Sequence, residues 1–74
     1  MSKLLVASGR AAVPAFERAD YAVDHQTGGH IILRHHDALR RRLTVRDHRE
    51  LARGTLRSLI RQAGLSVEQF RSLL

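Results

Sequence analysis

Two adjacent glycines followed by a histidine, Gly28-Gly29-His30, form a segment of this chain whose residue types can do chemistry. Paired glycines permit a tight turn and let a phosphate backbone come close, because neither carries a side chain. A histidine directly after such a turn is both well held and reachable. An imidazole ordinarily titrates near about 6.5, so it can take and give protons at neutral pH. RNA carries its own nucleophile, the ribose 2′-hydroxyl. A histidine that removes that proton, or protonates the departing oxygen, can cut the chain without a metal. One group so placed is typically worth about 10²–10⁴ in rate. Arginines nearby would stabilise the charge that builds on phosphate. The plainer alternative is an ordinary strand residue after a hairpin turn, and the local pattern leaves both open.

The other histidines are His25, His35, His36 and His48. The His35-His36 pair suggests a metal, but neighbouring strand residues point to opposite faces and do not share one ion easily. No cysteine is present to build a structural zinc site. Neither metal nor cofactor is expected. His48 is a candidate to contact RNA or to assist His30. Arg34, Arg42 and Arg46 are further RNA-binding candidates, since strands can align them on one face. Thr55, Arg57 and Arg61 form a second group: at the start and outer side of a helix they would meet phosphate together with free backbone N–H groups. The Arg40-Arg41-Arg42 run reads equally well as a solvated turn.

These residues need elements to hold them. Residues 8–19 show helical spacing through Val13, Phe16 and Ala19. Pro14 inside that span predicts a helix that starts late, near Ala12, or bends. Residues 21–26 alternate Tyr21, Val23 and His25 against Ala22, Asp24 and Gln26, a strand pattern. Thr27-Gly28-Gly29 then make a turn. Residues 30–35 form a second strand whose Ile31-Ile32-Leu33 run suits a central position. A turn over 36–40 leads to a third strand at 41–46, with Leu43 and Val45 opposite Arg42, Thr44 and Arg46. Short turns imply an antiparallel meander. By parity His30, Ile32 and Arg34 share a face.

Residues 47–54 read as a polar connection and Thr55 as an N-cap. Leu56, Leu59, Ile60 and Ala63 make an apolar helical stripe. Gly64 ends that helix in a left-handed conformation. Ser66 and Gln69 form a capping box for a last helix carrying Val67, Phe70, Leu73 and Leu74. The expected architecture is α+β: α-β-β-β-α with a three-stranded antiparallel sheet and a short extra C-terminal helix.

Composition narrows the setting. The chain has 74 residues, room for one domain spanning residues 1–74, and its core must be thin. Thirteen basic residues face seven acidic ones, giving a net charge of +6. All but Lys3 of the basic residues are Arg, whose planar fork pairs with phosphate and stacks on bases. Such a balance points to nucleic acid or an acidic protein partner. No run approaches the roughly 20 apolar residues of a membrane span. The first seven residues lack the apolar block of a secretory leader. With no cysteine, the expectation is a cytoplasmic protein with no membrane partner.

The stretch Gly54-Thr55-Leu56-Arg57-Ser58-Leu59-Ile60-Arg61-Gln62-Ala63-Gly64-Leu65-Ser66 strongly resembles the HicA (YcfA-like) family of mRNA interferase toxins. Gly28-Gly29-His30 with the following Ile31-Ile32-Leu33-Arg34-His35 resembles it too, and Arg42-Leu43-Thr44-Val45 and His48 fall in the family's order. The resemblance runs from about Ser8 to the end. It implies a fold like a double-stranded-RNA-binding domain. It also implies endoribonuclease action on single-stranded mRNA, as the toxin of a type II toxin–antitoxin pair. The catalytic histidine maps onto His30, and a HicB-like antitoxin would cover the active site. Gly29 stands where the family usually has Ser. Asp20-Tyr21 replaces a common Gly-aromatic pair, and Arg46 stands where Pro is frequent.

Two other readings compete. Residues 56–74 read as helix, glycine turn, helix, the outline of a helix-turn-helix DNA-binding protein, with Gln69 and Arg71 as base readers. A non-catalytic RNA-binding module of the same fold is the second.

Overall fold

The computed structural model describes residues 5–74; the expectations placed on residues 1–4, including the charge of Lys3, lie outside the described residues. Helix α1 spans Gly9–Glu17, with Ser8 as its N-cap accepting a hydrogen bond from the Ala11 N–H. The helix therefore does not start late at Ala12: the Ser8 cap fixes its beginning, and Pro14 sits inside it. Gly9 is required here for a different reason than flexibility. A Cβ on it would run into the backbone carbonyl of Arg46, and its N–H donates to the His48 carbonyl at 2.8 Å. The start of α1 is thus seated on the far end of the third strand. The helix ends earlier than residue 19, at Glu17 with Arg18 as its C-cap, and Asp20 then takes a left-handed φ of 73°. Aspartate tolerates that region better than most side chains.

Three strands follow: β1 Tyr21–Thr27, β2 His30–His35 and β3 Leu43–Arg46. They form one antiparallel sheet in the order β1-β2-β3, which puts His30's strand in the middle. Thr27 belongs to the strand rather than the turn, because it pairs with His30. That leaves Gly28-Gly29 as a two-residue hairpin loop, with Gly28 at φ 56°, as hairpin twist demands of its first residue. The third strand is shorter than residues 41–46. Arg41 and Arg42 lie outside it, and Arg40 is turned toward the helices, its Nη1 donating to the Ala63 carbonyl at 3.4 Å.

Helix α2 spans Arg53–Gln62 and α3 spans Val67–Leu73. Thr55 is not the N-cap of α2. The helix begins three residues sooner, with Ala52 at the cap and no side chain closing it. The other end follows expectation: Gly64 has φ 74°, the Leu65 N–H reaches the Ile60 carbonyl, and the Gly64 N–H reaches that of Arg61, the Schellman arrangement. Ser66 and Gln69 cap α3 reciprocally.

The helices cover one face of the sheet. Ile31, Leu33, Leu43 and Val45 from the strands meet Phe16, Leu56, Leu59, Ile60 and Phe70 in a single apolar core. Phe16 is its hub, with ring centroids 4.9 Å from Phe70 and 6.1 Å from Tyr21. Arg18 ties α1 to α3 through the Leu73 carbonyl. This is the α+β arrangement expected, and among the described residues it leaves the other face of the sheet uncovered.

Candidate active site

The uncovered face follows from strand parity and register. Ile31 and Leu33 are buried, so His30, Ile32 and Arg34 point the other way. On β3 the buried pair is Leu43 and Val45, so Thr44 and Arg46 join them; His30 lies opposite Arg46, and Ile32 opposite Thr44. Of this set only Ile32 is partly buried, and His30, Arg34, Thr44 and Arg46 are exposed. The central strand therefore presents an accessible imidazole, flanked by arginines and held by backbone pairing on both sides. Both loop glycines have open space where a Cβ would stand, so a phosphodiester can approach along the hairpin. The Asp47 N–H donates to the Gly29 carbonyl at 2.8 Å, which anchors the loop to the chain leaving β3.

The first strand holds a feature that alternation does not reveal. The register between β1 and β2 shifts between Val23 and His25: Val23 lies opposite Leu33, but His25 lies opposite Ile32. Asp24 is the extra residue of a β-bulge, and from there on the faces exchange. His25 consequently leaves the side of Tyr21 and Val23, where strict alternation puts it, and joins His30 on the open face. Its Nδ1 lies 2.8 Å from Asp24 Oδ2. Arg42 reaches across the central strand to the same oxygen, at 3.7 Å. The hydrogen bond from His25 holds the Asp24 carboxyl below the usual carboxylate range; partial desolvation opposes this, and the charges of Arg42, His25 and Arg34 reinforce it. Nothing in the local sequence sets Asp24 and His25 apart, and no Gly or Pro marks the bulge.

The remaining candidates separate. His48 lines a different hollow, beside Ser8, Arg10, Asp47 and Arg49 at the start of α1. Arg57 and Arg61 border a groove with Leu65, Ser66 and Val67 between α2 and α3. They lie off the apolar stripe that packs on the sheet, so they are not part of the surface carrying His30. Thr55 sits in the first turn of α2, exposed, with no capping role. Of the arginine run, Arg40 closes the end of α2 and Arg42 belongs to the open face.

His35 is used structurally. Its Nδ1 accepts from the Asp37 N–H at 2.8 Å, and its ring stands edge-on to Tyr21 at 4.8 Å. The His36 backbone N–H donates to the Asp20 carbonyl. Among the described residues no three His, Asp or Glu side chains gather as a metal site requires. The helix-turn-helix reading loses its base readers to local work: Gln69 supplies the capping box and Arg71 pairs with Glu68 at 3.1 Å. Phe70 is fully buried and Val67 and Leu73 pack on the core. No helix among the described residues is long and apolar enough to cross a membrane.

A family model described as HicA toxin of bacterial toxin–antitoxin matches residues 9–65. No curated protein and no solved structure matches the chain. The matched span opens at the first residue of α1 and closes just after Gly64, so it contains the whole sheet and both of its faces.

Proposed function

Because the chain belongs to the HicA toxin family of bacterial toxin–antitoxin systems, we propose that it is a metal-independent endoribonuclease. It cleaves single-stranded mRNA in the cytoplasm, with His30 moving the proton. The observation that carries the reading is the placement of His30: exposed, on the middle strand, at the exit of a two-glycine loop. Its imidazole takes the proton of the 2′-hydroxyl as that oxygen attacks the adjacent phosphorus. Arg34, Arg42 and Arg46 run along the same face and bear on the phosphate as charge builds there. Gly28 and Gly29 admit the backbone. Thr55, Arg57, Arg61 and His48 contact a longer strand only where it leaves this face.

Membership in the family carries an antitoxin partner. We take it to be HicB-like and to cover the open sheet face. A net charge of +6 favours acidic groups on whatever seats there. Free toxin then cuts and bound toxin does not.

The test is cleavage of single-stranded RNA in EDTA by the wild-type protein and by His30→Ala. The wild type cuts; the variant loses about 10²–10⁴ in rate while keeping RNA binding and its thermal midpoint. Cleavage that requires a divalent ion, or equal cleavage by both proteins, contradicts the proposal. Tight duplex-DNA binding with no cleavage would favour the DNA-binding alternative.

A further inference from the structure

We infer that His25, oriented by Asp24, is the second acid–base group of this site, giving its proton to the departing 5′-oxygen while His30 takes the proton of the 2′-hydroxyl. The inference rests on the ribonuclease reading above and adds to it the group that completes the proton transfers.

Three observations meet here. The bulge at Asp24 brings His25 to the face that carries His30. His25 lies opposite Ile32, and His30 is two residues before Ile32 on the same strand, so the imidazoles are diagonal neighbours. Diagonal positions on an antiparallel pair are about 7–8 Å apart, which leaves room for a phosphate between two rings. The third is the 2.8 Å contact of His25 Nδ1 with Asp24 Oδ2. With Nδ1–H donated to the carboxylate, Nε2 is the nitrogen left for substrate. His25 is 52% exposed at its side chain, so Nε2 is within reach of a bound strand.

The charges apportion the roles. A proton donor begins as an imidazolium, and beside Asp24 that cation is half of an ion pair. His30 has Arg46 and Thr27 as its cross-strand partners. A ring that starts uncharged suits a cationic neighbour. Arg34 and Arg42 are the further charges acting on the Asp24 carboxylate that holds His25. The helices lie on the opposite face and supply none.

The step balances. His30 takes the proton from O2′, the O2′–P bond forms, the P–O5′ bond breaks, and His25 gives its proton to O5′. The products are a 2′,3′-cyclic phosphate and a 5′-hydroxyl end. Exchange with water then restores both rings. Asp24 is a positioning residue: it acts through His25 and does not touch the substrate.

A leaving group that needs no proton separates this role from a structural one. Wild type, His25→Ala, Asp24→Asn and His30→Ala are assayed in EDTA on a mixed-sequence single-stranded RNA. They are assayed also on a mixture of nucleoside 3′-(4-nitrophenyl phosphates), where nitrophenolate departs unaided. His25→Ala loses about 10²-fold or more on RNA and keeps close to wild-type rates on the nitrophenyl esters. Asp24→Asn shows the same selectivity with a smaller loss. His30→Ala is slow on both. All variants keep the wild-type circular dichroism and thermal midpoint, since none is in the core. A His25→Ala variant that is as active as wild type on RNA, or equally impaired on both substrates, overturns the inference and leaves the His30 reading standing. A wild type that cleaves neither substrate overturns both.

Discussion

Along β2, Ile31 and Leu33 turn toward the helices while His30, Ile32 and Arg34 turn away, and β3 repeats the division with Leu43 and Val45 against Thr44 and Arg46. The two sets come from the same strands, one residue apart. The inner residues are explained by packing: each buried aliphatic side chain contributes about 1.5–3 kcal/mol relative to exposure. In a domain this small those few residues carry much of the stability. Packing explains nothing about the outer set. His30 and Arg34 on the middle strand and Arg46 on β3 are exposed and cost little to replace as far as folding is concerned, so on the proposed reading their consequence lies in chemistry. On the proposed reading one face of the sheet holds the fold and the other acts, and mutations on the two faces should have separable effects.

The largest effect that can test this separation is at Leu33. Leu33→Ala removes a fully buried side chain from the centre of the core. It should cost about 2–5 kcal/mol, read by urea or thermal unfolding, with residual cleavage at low temperature in proportion to the folded fraction. Its neighbour Arg34 should behave the opposite way. Arg34→Ala should leave the unfolding midpoint in place, weaken RNA binding and flatten the dependence of log affinity on log salt by roughly 0.7. If Arg34→Ala unfolds the protein, or Leu33→Ala leaves stability intact, the division between faces fails.

A smaller effect sharpens the inner face. The Tyr21 hydroxyl is buried with no hydrogen-bond partner among the described residues. Burial pushes its pKa up, and the Arg40 charge draws it partly back. Tyr21→Phe should therefore be neutral or stabilising, by up to about 1 kcal/mol, where removing a satisfied phenol would destabilise. The pH dependence has a definite sign. Because the folded value lies above the unfolded one, the native state resists ionisation. Stability tied to Tyr21 is full below about pH 10 and is lost as the pH rises through the folded value. Alkaline unfolding should shift to higher pH in the Phe variant. A clear loss of stability on Tyr21→Phe would mean that the hydroxyl is satisfied.

Much of this arrangement was legible in the chain itself. The meander, the middle position of residues 30–35, the Gly64 stop and the Ser66–Gln69 capping box each follow from local chemistry that no tertiary contact overrides. What was not legible depends on contacts between distant residues. Ser8 holds the start of α1 against the preference of Pro14, helped by Gly9 seated under the Arg46 carbonyl. Thr55 has the right chemistry for a cap, but the helix begins sooner and leaves it in the first turn. Arg40 is drawn to the end of α2 across 23 residues. The bulge at Asp24 is the most consequential gap, because strict alternation sends His25 to the wrong face. Only the pairing register with β2 reveals that His25 and His30 share one surface.

The most direct measurement uses a strand that is 2′-deoxy throughout except at single ribose positions, followed by analysis of the ends produced. The account requires cutting only on the 3′ side of each ribose, leaving a 2′,3′-cyclic phosphate and a 5′-hydroxyl, at a rate about 10²–10⁴ lower for His30→Ala. Scission at deoxy positions, 5′-phosphate ends, or an undiminished rate from His30→Ala would contradict it.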